Sequence, residues 1–115
     1  ELVEWPVTTA RFAGRTRAAG GGGFMRMLPY GFTRWAIARM NEEGHPAILY
    51  FHPWEIDPGQ PRVTDAPIKS KIRHYSGLSA MAGKLKKLLA DFDWTRADAL
   101  LPAQQQRAAP WRAAA

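Results

Sequence analysis

The chain has 115 residues, 46% of them hydrophobic and 23% charged, with no Cys and a formal net charge of +6. That balance fits a folded domain with one core rather than a disordered or collagen-like chain. The lack of Cys excludes disulfide frameworks, thiolate zinc sites, iron–sulfur clusters and cysteine nucleophiles while leaving the compartment open, and the longest apolar stretch, Pro46 to Phe51, is far too short to cross a membrane as a helix.

The chain opens on Glu1 rather than Met and lacks the basic and apolar segments of a signal peptide, so it reads as cut from something longer. Leu2 to Val7 alternates enough to predict a short strand, with Pro6 at an end, an edge or a bulge because it has no N–H to donate. The run Gly20 to Gly23 predicts a loop or sharp turn where another backbone or a ligand can approach closely. From Tyr30, the spacing of Phe32, Trp35, Ala36, Arg39 and Met40 predicts an amphipathic helix stopped by Gly44 and Pro46. Ala47 to Phe51 is continuously apolar, which fits a strand covered on both faces, as parallel strands are.

The segment from His52 to Pro61 holds three prolines and a glycine and predicts a stiff, turn-rich loop without regular structure. A second helix is the clearest element. Leu78, Met81, Ala82, Leu85, Leu88, Leu89 and Phe92 form one apolar stripe, Lys84, Lys86 and Lys87 turn outward, and Ser79 is the expected cap. Pro102 to Ala115 carries no apolar face and predicts a mobile tail, so the organisation is one unit over 1–101 and a tail over 102–115. Strand, glycine loop, helix, strand, loop and helix in that order imply α/β architecture, in which loops at the carboxyl ends of parallel strands carry the chemistry.

That position singles out His52. An imidazole exchanges protons near neutral pH and Glu55 and Asp57 lie close enough in sequence to orient it, yet a histidine that merely hydrogen-bonds inside a tight loop fits the same residues, and both readings stand. His45 belongs to an exposed helix-ending turn, and His74 could reach an active-site rim. Trp54, between Pro53 and Glu55, offers a stacking face for a sugar ring. Positive charge gathers between Arg62 and Lys87, where Arg62, Lys69, Lys71, Arg73, Lys84, Lys86 and Lys87 face only Asp65, a distribution that attracts anions or simply forms a solvated face. Aromatic side chains among these cations keep a binding module for an anionic glycan or nucleic acid as the alternative to an enzyme. A metal site of His52, Glu55 and Asp57 is weak in a proline-locked loop, and no phosphate-binding glycine motif or Gly-x-Ser-x-Gly is present.

Phe51-His52-Pro53-Trp54-Glu55-Ile56-Asp57-Pro58-Gly59-Gln60-Pro61-Arg62 resembles the carboxyl-terminal region of NodB-like bacterial polysaccharide deacetylases, a carbohydrate esterase type, in the branch associated with exopolysaccharide clusters. The pattern there is His-Pro-Trp-Glu-x-Asp-Pro-x-Gln-Pro-Arg. Glu4 to Val7 is similar to that family's Glu-x-Pro-Val strand, Gly21 to Tyr30 to its Gly-Gly-Gly-Tyr-Phe-Arg-Leu-Leu-Pro-Tyr segment with Phe24, Met25 and Met27 as departures, and Lys69 to Tyr75 to its Lys-Ser-Arg-Phe-Arg-His-Tyr. The resemblance covers about Glu1 to Leu101.

The resemblance implies the C-terminal portion of a distorted (β/α) barrel, incomplete in this chain, since a closed barrel needs on the order of 200 residues. It implies hydrolysis of N-acetyl groups on a bacterial exopolysaccharide by a divalent metal, zinc, held by an Asp and two His, with a second Asp as base and a late-strand His as acid. His52 matches that acid. The metal ligands and the base belong to motifs that nothing in this chain matches, so they are expected in an N-terminal part of the deacetylase domain, and the chain alone is expected to be inactive. The implied partner is an N-acetylated polysaccharide, with no membrane span, and the resemblance counts against nucleic acid. Trp54, Glu55, Arg26, Arg73 and His74 are the supporting or substrate-binding candidates. For Arg26 a glycan contact stands beside a salt bridge to Glu4 or Glu55; for Glu55, orientation of His52 beside capping of loop amides; for Arg73 and His74, the groove beside anchoring of the loop from Asp57 to Tyr75.

Overall fold

A computed structural model describes residue 5 and residues 7–100, without the side chain of Phe12. Most of the strand expected over Leu2–Val7, and the tail expected over 102–115, lie outside the described residues. Among those residues the fold is mixed α/β, with a two-stranded sheet and four helices.

The chain enters through a hairpin that the sequence reading passes over: β1 (Thr9–Phe12) pairs antiparallel with β2 (Arg15–Ala18), Phe12 opposite Arg15 and Thr9 opposite Ala18. Ala13 and Gly14 join them with φ of 48° and 74°, the positive values that a two-residue turn needs to match the twist of its strands. The glycine run then departs from expectation, because Gly22 opens a helix, α1 (Gly22–Met27), instead of remaining in a loop. Its glycines are there for space. A Cβ on Gly20 would strike the Ile48 carbonyl and Thr8, and one on Gly22 would strike the Glu55 carboxylate.

Helix α2 (Tyr30–Glu42) forms as its periodicity predicts, burying Thr33, Ala36 and Ile37. Ala36 packs against Ala10 and Ala19 beneath the hairpin, with Phe32 and Trp35 alongside. Gly44, at φ 79°, ends the helix, with Gly44 N–H on Asn41 O and His45 N–H on Met40 O, so the last carbonyls are satisfied.

The apolar segment 47–51 runs extended but makes only an isolated parallel bridge, Gly21 to Tyr50. Tyr50 N–H donates to Gly20 O and Gly22 N–H to Tyr50 O, both at 2.9 Å, while the buried Thr8 hydroxyl clasps both backbone groups of Ile48 at 2.6 Å. The parallel direction agrees with the sequence; coverage on both faces does not, since Tyr50 is 52% exposed. Among the described residues, Gly21 is the one bridge partner of this segment.

Pro53 to Ile56 forms one 3-10 turn within the segment expected to be irregular, because Pro53 sits at its first position, where a missing N–H costs nothing. A short helix not foreseen follows, α3 (Ile68–Tyr75), started at Pro67 and burying none of its residues. Gly77, at φ 74°, then turns the chain into α4 (Leu78–Asp91), and it is Gly77 rather than Ser79 that stands at the cap position. Leu78, Met81 and Leu88 are buried, whereas Leu89 and Ala82 face outward, so the apolar stripe is narrower than its sequence spelling. Met25, Ile37, Met81 and Leu88 make the main core, with Leu49, Phe51, Leu85 and Phe92 packed around it.

Candidate functional site

The loop from His52 and the carboxyl ends of α1 and α3 meet around one buried ion pair. Arg26 Nε lies 3.0 Å from Glu55 Oε1, both side chains being 3% exposed. Charges this deeply buried persist only when every remaining donor and acceptor is used. Here they are. Arg26 Nη1 donates to His74 O at 2.9 Å and Ser76 O at 2.7 Å, and Nη2 to Arg73 O at 3.3 Å. The guanidinium thereby caps the carboxyl end of α3, where unpaired carbonyls and the helix dipole favour a cation. Glu55 Oε2 accepts the His52 amide at 2.8 Å, and Glu55 N–H closes back onto His52 O at 2.9 Å.

Of the alternatives left open by the sequence, Arg26 pairs with Glu55, and Glu55 caps a loop amide, that of His52, rather than bonding to its imidazole. The imidazole of His52 projects from this clamp and is exposed. Its ring lies nearly parallel to that of Trp54, 6.0 Å between centroids at 9°, and edge-on to Tyr50 at 6.5 Å. Trp54 is half-buried: His74 stacks on it at 4.1 Å and 14°, and the Arg26 guanidinium carbon lies 5.0 Å from its ring centre. Part of the ring expected to meet a sugar is therefore spent inside the protein.

His74 is held as well as stacked. Gln60 Nε2 donates to Trp54 O at 2.9 Å and Asp57 O at 3.1 Å, which turns its Oε1 toward His74 Nε2 at 3.0 Å and makes that nitrogen the protonated one. His74 thus anchors the loop from Asp57 to Tyr75 and also lines an open cleft of about 480 Å³ together with Trp54, Val63, Ala66, Ser70, Lys71, Arg73 and Tyr75. Arg73 and His74 accordingly combine the two roles left open for them, wall and anchor. Gln60, Tyr75 and Ser76 complete the arrangement; Gln60 and Tyr75 carried a signal in the sequence, as parts of the quoted Gln-Pro-Arg and Arg-His-Tyr ends, and Ser76 carried none.

The basic segment is not one surface. Lys84, expected to face outward, turns its ammonium onto Met25 O at 2.9 Å, Arg26 O at 3.1 Å and Leu28 O at 2.8 Å, capping α1 as Arg26 caps α3. Burial pulls its pKa below the ordinary lysine value. Lys71 reaches Thr64 O at 2.5 Å and Arg62 lies 4.9 Å over the Tyr75 ring, both along the cleft.

A family model described as a domain of unknown function, DUF3473, matches residues 1–102. The chain belongs to the DUF3473 family. No curated protein and no solved structure matches it. Among the described residues of this DUF3473 domain no group of three or more His, Cys, Asp or Glu is placed to hold a metal ion. No helix among the described residues is long and apolar enough to cross a membrane.

Proposed function

We propose that this chain is the C-terminal part of a metal-dependent polysaccharide deacetylase, a portion of a distorted (β/α) barrel that supplies His52 as the acid in hydrolysis of N-acetyl groups on a bacterial exopolysaccharide. One observation carries the reading: an exposed imidazole stands directly after the extended apolar segment, while its backbone is fixed by a fully buried, fully bonded Glu55–Arg26 pair. A structural histidine needs no such mounting on its exposed side. Segment 47–51 supports the barrel, because its one bridge among the described residues is parallel, as barrel strands are.

In such a reaction water adds to the acetyl carbonyl, and the C–N bond breaks as the amine nitrogen gains a proton. The His52 imidazolium donates that proton and is left neutral, to be recharged from solvent; acetate and a free amino sugar depart. An unprotonated amide nitrogen is a poor leaving group, so a donor titrating near neutral pH is matched to the step. The described residues supply no donor set for the divalent metal, zinc in the resemblance, and no step is assigned to it in this chain.

The test is acetate release from an N-acetylated oligosaccharide by a polypeptide joining this chain to a metal-bearing N-terminal part. His52→Ala should slow release by roughly 10²- to 10⁴-fold, the usual size of acid catalysis by a positioned side chain, with the unfolding midpoint unchanged. Release at the wild-type rate by the folded variant would refute the assignment.

A further inference from the structure

The cleft beside Trp54 is lined by cations and by rings. Lys71 and Arg73 come from α3, and Arg62 joins them where the cleft continues past Tyr75. No carboxylate lines either part, and none of the three cations forms a salt bridge among the described residues. Its ring wall is Trp54, His74 and Tyr75, with His74 stacked on Trp54 and edge-on to Tyr75. Trp54 also borders His52, so a single ring links the cleft to the exposed residue, although His52 itself does not line the cleft.

We infer that this cleft binds a carboxylate-bearing sugar residue of an acidic polysaccharide. The inference rests on the deacetylase reading only in placing that residue next to the N-acetylated one.

Three arguments lead there. The uncompensated cations set a positive potential in a concave site, which selects an anion. The exposed Arg73 carries a planar fork that matches a carboxylate with two parallel hydrogen bonds. The ring wall, with Val63, offers a fixed apolar surface for the C–H face of a pyranose. Single-stranded nucleic acid fits less well, because it needs a longer track of cations than Arg62, Lys71 and Arg73 provide.

The experiment titrates the 115-residue chain with hexagalacturonate, its methyl ester, a neutral N-acetylglucosamine hexamer and a single-stranded oligodeoxynucleotide, following tryptophan fluorescence with competition as a check. Hexagalacturonate should bind at least tenfold more tightly than its methyl ester or the neutral hexamer. Arg62→Gln/Arg73→Gln should remove at least a tenfold share of that preference with an unchanged unfolding midpoint, and Arg73→Gln alone should remove part of it. Equal binding of acid and ester, no binding of the acid, or displacement of the acid by the oligonucleotide would each overturn the inference. Acid-selective binding without acetate release in the joined polypeptide refutes the deacetylase reading alone; acetate release without acid selectivity refutes the cleft alone.

Discussion

Two neighbouring regions are stabilised by different means. Around α1, the 3-10 turn and α4, Met25, Met81 and Leu88 are fully buried, and the charges of Arg26 and Glu55 lie inside with them. In the excursion from Asp57 to Tyr75, α3 buries nothing, and Val63, Ile68 and Ile72 are 61%, 76% and 60% exposed. Polar links hold it instead: Gln60 to His74, Val63 N–H to the Tyr75 hydroxyl, Lys71 to Thr64 O, and Arg26 to the carbonyls at its end. Folding free energy is thus concentrated beneath His52, while the cleft wall rides on top and can change without unfolding what lies below.

The sharpest way to break that contrast is to remove one member of the buried pair. Glu55→Ala leaves the Arg26 guanidinium without its counter-charge and frees the His52 amide, and loss of one partner of such a pair costs about 3 to 5 kcal/mol. Chemical denaturation should register a loss of this size. A loss below about 1 kcal/mol would show that the centre is hydrated and that the contrast is false.

Next in size is Gly77→Ala. A Cβ there must accept φ 74° and also meets the backbone carbonyl of Arg26, which no rotamer change can relieve. The left-handed backbone and the overpacking together predict a loss of about 2 to 4 kcal/mol. Gly83→Ala on α4, where an added Cβ meets nothing, is the control and should be neutral or stabilising.

A smaller effect, read through pH, concerns the far end of the same core. Tyr30 OH donates to Asp91 Oδ2 at 2.6 Å, and Arg34 Nε lies 2.9 Å from the same oxygen, tying α2 to α4. Desolvation first, then that hydrogen bond, pushes the Tyr30 phenol from 10.0 to about 12. The folded protein keeps this proton where the unfolded chain has lost it. The contribution is complete below about pH 10 and lost as pH rises through 12. Asp91, held low first by the Tyr30 hydrogen bond, loses its contribution in the opposite direction, as pH falls through its lowered value. The stability of Tyr30→Phe should decline less than that of wild type across the alkaline range; parallel curves would refute the linkage.

The contrast between regions also explains what the sequence reveals. Helices α2 and α4 are legible because their apolar spacing persists over 13 and 14 residues. α3 is not, since Ile68 and Ile72 are its only aliphatic side chains and both remain exposed. The hairpin escapes because Ala13-Gly14 is a weak spelling of its turn. The glycine run becomes a helix because tertiary contacts from Glu55, Phe51 and Lys84 override local propensity. In the site, His52, Trp54 and Glu55 are legible as one motif, whereas the carbonyls of Arg73, His74 and Ser76 are not, because a backbone acceptor has no residue type.

The smallest change is the most discriminating. Gln60 ties the Trp54 loop to the His74 ring by hydrogen bonds, to Trp54 O, Asp57 O and His74 Nε2, beside the Trp54–His74 stack. Gln60→Ala removes all three, but water can reach the exposed ones, so the net loss should be about 1 kcal/mol rather than the sum of three bonds. If the cleft wall is positioned by polar links over an independently stable base, this variant should nearly retain the wild-type unfolding midpoint yet show altered Trp54 fluorescence as the His74 stack loosens. A destabilisation as large as that of Glu55→Ala would mean instead that the excursion and the buried centre fold as one unit, with Gln60 rather than Arg26 as the joint.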